Sequence, residues 1–227
     1  MQHIENEIGQ GETIRSVVFG FNDGLVTTLA IVIGITSIIS ENRLIILIGV
    51  AEMLAGAISM ALGNYISIKS QIDFYKSEIL REKQEINEMP DAERAEIYEI
   101  YQKKGFKGGL LKQIVKHITS DKKRWLDIMM KEELELSGKF ENPVKSAGLI
   151  FVAFIIASLI PIAPFLVLPI ADAIPLAVIA SIIFLFASGA IKSKFTKMNW
   201  LRSGLELLAI GLVATGAVYF IGTLVPV

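Results

Sequence analysis

The chain has 227 residues, no cysteine and a net charge of −1, and with 52% hydrophobic residues its mean hydropathy is +0.55. This composition is typical of a membrane protein, and the lack of cysteine excludes disulfides, thiolate metal sites and thiol redox chemistry. Residues 69–145 hold 16 of the 22 Lys and Arg and 15 of the 23 Asp and Glu. The sequence therefore predicts an all-α membrane protein that carries one soluble insert.

Five apolar runs are long enough to cross a bilayer, since about 20 apolar residues in a helix span its hydrocarbon core. The tight loop at 40–43 predicts a hairpin of the first two spans, and a loop near 161–175 holds four prolines and no Lys or Arg. The predicted spans cover about residues 15–39, 44–68, 145–168, 172–192 and 202–224.

This pattern divides the chain into three parts. Residues 1–68 form an N-terminal segment with the first two transmembrane helices, residues 69–144 form the insert, and residues 145–227 hold transmembrane helices three to five. Basic residues are concentrated in the insert and in the loop at 192–202. By the positive-inside rule both lie in the cytoplasm, together with the N-terminus, and the C-terminus is external.

Two of the apolar runs contain an acidic residue. Asp23 lies in the first span and Glu52 in the second. An acid at such a position costs about 2.5–3.5 kcal/mol on insertion scales, and it marks a functional site by default. Each carboxyl group must face a polar interior, a partner or a cation, or it is a buried acid that holds helices together.

The second span also has a face of small side chains. Small residues that recur every four positions allow helices to approach closely in lipid, so this face is expected to pack against the first span or against the same helix of a second subunit. Met60 is either a core residue of this span or a ligand. The small residues are Ala51, Ala55, Ser59 and Gly63.

The insert is predicted to hold helices at 69–88, at 91–104, over a short run at 110–118, and from Ser120 or Asp121 to about Leu136. Glutamates recur on them at helical spacing, and Met129 and Met130 lie one turn before Glu133. Carboxylates beside a thioether suit a divalent transition metal better than Ca(II) or Mg(II). The alternative is a solvated charged face with methionines that only pack.

Other chemistries lack their motifs. His3 and His117 are the only histidines, so a Glu-x-x-His di-iron site is absent. The sequence has neither a Walker A loop nor a dinucleotide fingerprint, and its basic residues alternate with acids, which argues against nucleic acid. We therefore do not expect an enzyme or a permanent cofactor.

Residues 21–27 (FNDGLVT) and 52–60 (EMLAGAISM), with the Glu-rich insert, resemble the vacuolar iron transporter family. The resemblance implies a homodimer of five-span subunits that exports Fe(II), and often Mn(II), from the cytoplasm in exchange for protons, between the first two spans. It implies that Asp23, Glu52 and Met60 line the path. The insert's metal ligands would be Glu82, Glu85, Glu93, Glu96, Met129, Met130 and Glu133.

Two functions follow from these observations. The first is a proton-coupled transporter, and the alternative is a membrane-anchored metal buffer or sensor that binds metal without moving it. Oxygen and thioether ligands allow Fe(II), Mn(II), Co(II) or Zn(II). The membrane is expected to be the cell membrane of a prokaryote or the vacuolar membrane of a eukaryote.

Overall fold

The structure, a computed structural model, describes the backbone of residues 2–134, 138 and 140–224, and the side chains of residues 11, 13–134, 138, 140–217 and 220. Within this part of the chain all regular structure is helical, as predicted from the composition. The eight helices are α1 (Gln2–Ile35), α2 (Asn42–Glu88), α3 (Pro90–Lys103), α4 (Gly108–Thr119), α5 (Lys122–Glu132), α6 (Pro143–Val167), α7 (Ile170–Thr196) and α8 (Trp200–Leu224).

Four helices are long and apolar enough to cross a membrane: α1 from Thr13 onward, α2, α6 and α7. The fifth predicted span coincides with α8, but several side chains at its end fall outside the described residues. The total of five spans therefore stays a prediction.

The predicted proline-rich loop at 161–175 is wrong. Pro161 and Pro164 lie inside α6 and Pro175 lies inside α7, so that only Leu168 and Pro169 connect the two helices. Packed neighbours can satisfy the backbone groups that proline frees in a membrane helix. Asn42 of α2 caps the end of α6, where its side chain donates to the carbonyl oxygens of Phe165, at 3.0 Å, and Leu168, at 2.7 Å.

The end of α1 also differs from the prediction, since the helix stops at Ile35 rather than near residue 39. Thr36 and Ser37 follow it, and their hydroxyl groups donate to the carbonyl oxygens of Ile33 and Gly34 at 2.7 Å each. These side-chain bonds replace the backbone donors that a longer helix would have supplied.

Two compact units divide the chain: Met1–Ile66 with Glu141–Val227, and Ser67–Phe140. In the first unit α1 packs most extensively against α6. A Cβ at Gly20 would lie 2.6 Å from the carbonyl oxygen of Ile150, and one at Gly24 would lie 2.5 Å from that of Phe154. Two glycines four residues apart thus allow backbone-to-backbone contact between the helices.

The second unit has its own hydrophobic core, formed by Ile86, Ile97, Ile118, Trp125 and Met129. This core packs α3, α4 and α5 together with the C-terminal end of α2. This core determines how the glutamates on those helices are arranged.

Helix α5 begins as predicted but ends earlier. The side chain of Asp121 accepts a hydrogen bond from the backbone N–H of Arg124 at 2.8 Å and caps the first turn. The helix ends at Glu132: the N–H of Glu133 still makes the helical bond to the carbonyl oxygen of Met129, but the N–H of Leu134 donates to that same oxygen instead of to that of Met130 and closes the last turn. The predicted end at Leu136 lies outside the described residues.

Candidate functional site

Three glutamates from different segments of the insert converge. Glu82 lies on α2, Glu93 on α3, and Glu133 directly follows α5. One carboxylate oxygen from each lies within 4.8 Å of the other two. Oxygen ligands lie about 2.0–2.6 Å from a divalent ion, so opposite ligands are up to about 5 Å apart. One divalent ion could therefore be bound by all three side chains.

Burial gives these carboxyl groups unusual proton affinities. Glu82 and Glu93 are only 1% and 4% exposed. Burial raises the pKa of Glu82 to about 8, helped by the hydrogen bond it donates to Glu93 and by the negative charges of Glu133, Glu93 and Glu85. Burial and the charge of Glu96 raise the pKa of Glu133 to about 7, and burial also raises the pKa of Glu93. At neutral pH the empty cluster holds protons.

Two oxygens of this cluster have no hydrogen-bond partner within the described part of the chain: Oε1 of Glu82 and Oε2 of Glu93. A buried acceptor without a donor destabilises the fold by about 1–3 kcal/mol. A bound cation would satisfy both oxygens, so the donor set suits a metal better than it suits an empty site.

The two remaining predicted glutamates belong to the same electrostatic group. Glu85 is half-buried, and its charge raises the pKa of Glu82 and of Glu93. Glu96 is exposed, accepts a hydrogen bond from Glu133 and raises its pKa. Glu85 and Glu96 thus lie within electrostatic range of the three converging glutamates, and a ligand role for them stays a prediction.

The two predicted methionine ligands are both buried. Met129 packs into the hydrophobic core of the insert beside Ile97 and Trp125, and Met130 is buried outside that cluster. Core packing accounts for Met129 by itself. A ligand role for either sulfur remains a prediction.

Two glycines near Asp23 of α1 and Glu52 of α2 contact one residue of α6. Gly24 adjoins Asp23 and lies against the backbone of Phe154. A Cβ at Gly56 would lie 2.5 Å from the ring of that same phenylalanine and 3.2 Å from Oε1 of Glu52. Asp23 and Glu52 are both half-buried, so each carboxyl group is partly accessible close to a glycine that contacts Phe154.

The small-residue face of α2 is uncovered in the single chain. Its four small residues are all exposed, and nothing lies within 4 Å of a Cβ built at Gly63. Met60 is half-buried at the edge of this face. Helix α2 approaches the other helices of its unit at few positions, which leaves room for a further helix.

A polar network at one end of the membrane unit could not be predicted from spacing. The hydroxyl groups of Ser16 and Ser146 lie 2.9 Å apart, and Asn64 donates to Ser146 at 2.9 Å. Arg15 forms an ion pair with Glu141 at 2.7 Å. These contacts join α1, α2 and the start of α6. The only signal in the sequence is that each residue lies near the end of an apolar run.

Comparison with known proteins identifies the family. A family model described as the VIT family matches residues 14–223. The chain is 36% identical over 222 residues to the vacuolar iron transporter of Centaurea cyanus, covering 96% of this chain and 90% of that protein. It is 33% identical over 225 residues to vacuolar iron transporter 1 of Arabidopsis thaliana, covering 98% and 90%.

A more distant relative has the same name. The chain is 28% identical over 232 residues to the vacuolar iron transporter of Plasmodium falciparum, covering 97% of this chain and 85% of that protein. The relatives match nearly the whole chain, including the insert and the apolar helices. This chain is therefore an integral membrane protein that belongs to the VIT family.

Proposed function

We propose that this chain exports Fe(II) from the cytoplasm in exchange for protons, as a homodimer. The observation that carries the proposal is the cluster of Glu82, Glu93 and Glu133, in which buried oxygens of Glu82 and Glu93 lack partners, in a chain whose relatives are named vacuolar iron transporters. Fe(II) and Mn(II) both suit this ligand set, as do Co(II) and Zn(II).

Capture of the metal is the first step. The cluster binds a divalent ion and releases the protons that its raised pKa values hold at neutral pH. Glu85 and Glu96 add negative charge around it, and Met129 and Met130 are the proposed soft ligands. Residues 69–144 then work as a metal-binding domain on the cytoplasmic side.

Passage of the metal ion through the membrane is the second step. Asp23 and Glu52 lie close to Gly24 and Gly56, the two glycines that contact one residue of α6, and ionisable groups inside a membrane usually mark an ion pathway. Met60 follows Glu52 by two turns on α2. A second subunit would cover the exposed small face of α2, so that four carboxyl groups surround one path.

Those four carboxyl groups explain the coupling. Like charges so close cannot all ionise cheaply, so the groups hold protons when the path is empty and release them to a metal ion. External protons then reload the acids and expel the ion. The insert and the loop at 192–202 face the cytoplasm, and the C-terminus is external. The membrane is the cell membrane in a prokaryote and the vacuolar membrane in a eukaryote.

Uptake of Fe(II) into proteoliposomes under anaerobic conditions tests the proposal. We expect flux in the wild type and loss of flux in Asp23→Asn and in Glu52→Gln. The matched control is Glu99→Gln, which removes an exposed carboxylate paired with Lys103 on α3 and should leave flux unchanged. A wild type that binds metal without flux would instead establish a membrane-anchored buffer or sensor.

A further inference from the structure

A cavity of about 430 Å³ opens between α1, α7 and α8 in the membrane unit. Two of the residues that line it are basic, Arg15 of α1 and Lys192 of α7. This cavity contains none of the residues proposed for metal capture or for the transport path. It needs an explanation of its own.

The two cations lie at the boundary of the bilayer. Arg15 directly precedes the mostly apolar stretch of α1, and Lys192 directly follows the apolar run 173–191 of α7. Because Arg15 and Lys192 line one cavity, the start of the apolar stretch of α1 and the end of the apolar run of α7 lie on the same side of the membrane. Phospholipid headgroups occupy this level of a bilayer.

Both side chains have donors available. Lys192 forms no ion pair among the described residues. Arg15 contacts Glu141 through Nη2, but its side chain remains 64% exposed, and a guanidinium group carries five N–H donors. Glu141 offsets part of the charge of Arg15, so Lys192 supplies the larger uncompensated charge.

The remaining wall is mostly apolar, with Asn22 and Thr196 as its polar members. Its side chains include Ile14, Val18, Phe19, Phe195 and Leu207. Phe19 and Phe195 are each 55% exposed. A small anion would leave this apolar surface uncovered, and a neutral lipid would leave the cations unpaired. Only a ligand with an anionic head and a hydrocarbon chain matches both parts of the wall.

We propose that this cavity binds an anionic phospholipid of the surrounding bilayer, with the phosphate between Arg15 and Lys192 and an acyl chain along the phenylalanine side. Basic pockets between transmembrane helices at the membrane surface recognise such headgroups. Lipid binding at this position is independent of what the chain transports.

The test uses the full chain in nanodiscs made from equal amounts of phosphatidylglycerol and phosphatidylcholine. After transfer to detergent, mass spectrometry measures the ratio of the two lipids that stay bound. We expect enrichment of phosphatidylglycerol in the wild type and an approximately fivefold lower enrichment in Lys192→Ala, since each basic residue contributes about this factor near an anionic surface. Lys192→Arg should retain the enrichment.

The matched control is Lys194→Ala, which removes the same charge from the same turn of α7 outside the cavity and should leave the enrichment unchanged. Circular dichroism checks that each variant is folded. A wild-type ratio equal to the input, or an equal loss in the Lys192 and Lys194 variants, would overturn the proposal. Displacement of the lipid by inorganic phosphate would also overturn it, because the cavity would then be a simple anion site.

Discussion

Metal binding by the insert should depend steeply on pH. Burial raises the pKa of Glu82 to about 8 and that of Glu133 to about 7. At pH 7 the first carboxyl group is then about 90% protonated and the second about half protonated, so a bound metal displaces about 1.4 protons from these two groups. Affinity should therefore rise with pH, on the order of several hundredfold between pH 6 and pH 8.

Isothermal titration of the full chain with Mn(II) in detergent measures this effect. Titrations at pH 7 in two buffers of different ionisation enthalpy give the number of protons released, and a pH series gives the affinities. In Glu82→Gln the release should fall to about 0.5 protons, and the gain between pH 6 and 8 should shrink to about tenfold.

Glu99→Gln is the control, since this exposed carboxylate lies outside the cluster and its loss should change neither quantity. Carboxyl groups with ordinary pKa values near 4.3 would release almost no protons at pH 7. Proton release near zero in the wild type, or an unchanged release in Glu82→Gln, would refute the reasoning.

Three further predictions follow from the same geometry. Without metal, the stabilising contribution of protonated Glu82 is complete below about pH 4.5 and is lost as the pH rises towards about 8. The melting temperature of the insert should therefore fall over this range, and it should fall less in Glu82→Gln. Fluorescence of Trp125 in a Trp200→Phe background measures it. Gly24→Ala should lower the stability of the membrane unit by about 1–3 kcal/mol, because its methyl group would lie 2.5 Å from a carbonyl oxygen of α6; Gly148→Ala, with nothing within 4 Å, is the thermal-melt control. Gly63→Leu should shift the chain from dimer to monomer in light scattering without unfolding it, and an unchanged dimer would place the seam elsewhere.

Long apolar runs predicted the membrane helices well, because lipid requires each spanning segment to satisfy its own backbone. Helices α2, α6, α7 and α8 begin and end close to the predicted bounds of the spans, or continue beyond them into charged residues. The errors have local causes. Prolines inside α6 and α7 do not break these helices, and α5 ends early where the N–H of Leu134 donates to Met129 instead of to Met130. Neither effect is visible in hydropathy.

The candidate metal site was only partly predictable. Helical spacing shows that Glu82 and Glu85, or Glu93 and Glu96, point the same way. It does not show that α2, α3 and the end of α5 meet, because the core around Ile97 produces that convergence. The contact of Gly24 and Gly56 with one phenylalanine likewise depends on how α1, α2 and α6 pack.

Proton coupling is the central claim, and an uphill flux experiment tests it most directly. Proteoliposomes with equal Fe(II) concentrations inside and outside are given an acidic lumen, and lumenal metal is followed with a chelating fluorophore under anaerobic conditions. We expect Fe(II) to accumulate in the acidic lumen, and the accumulation to disappear with a protonophore or in Glu52→Gln. Fe(II) that stays at equal concentrations despite the pH gradient, in vesicles that do equilibrate an imposed metal gradient, would contradict proton exchange and establish a channel.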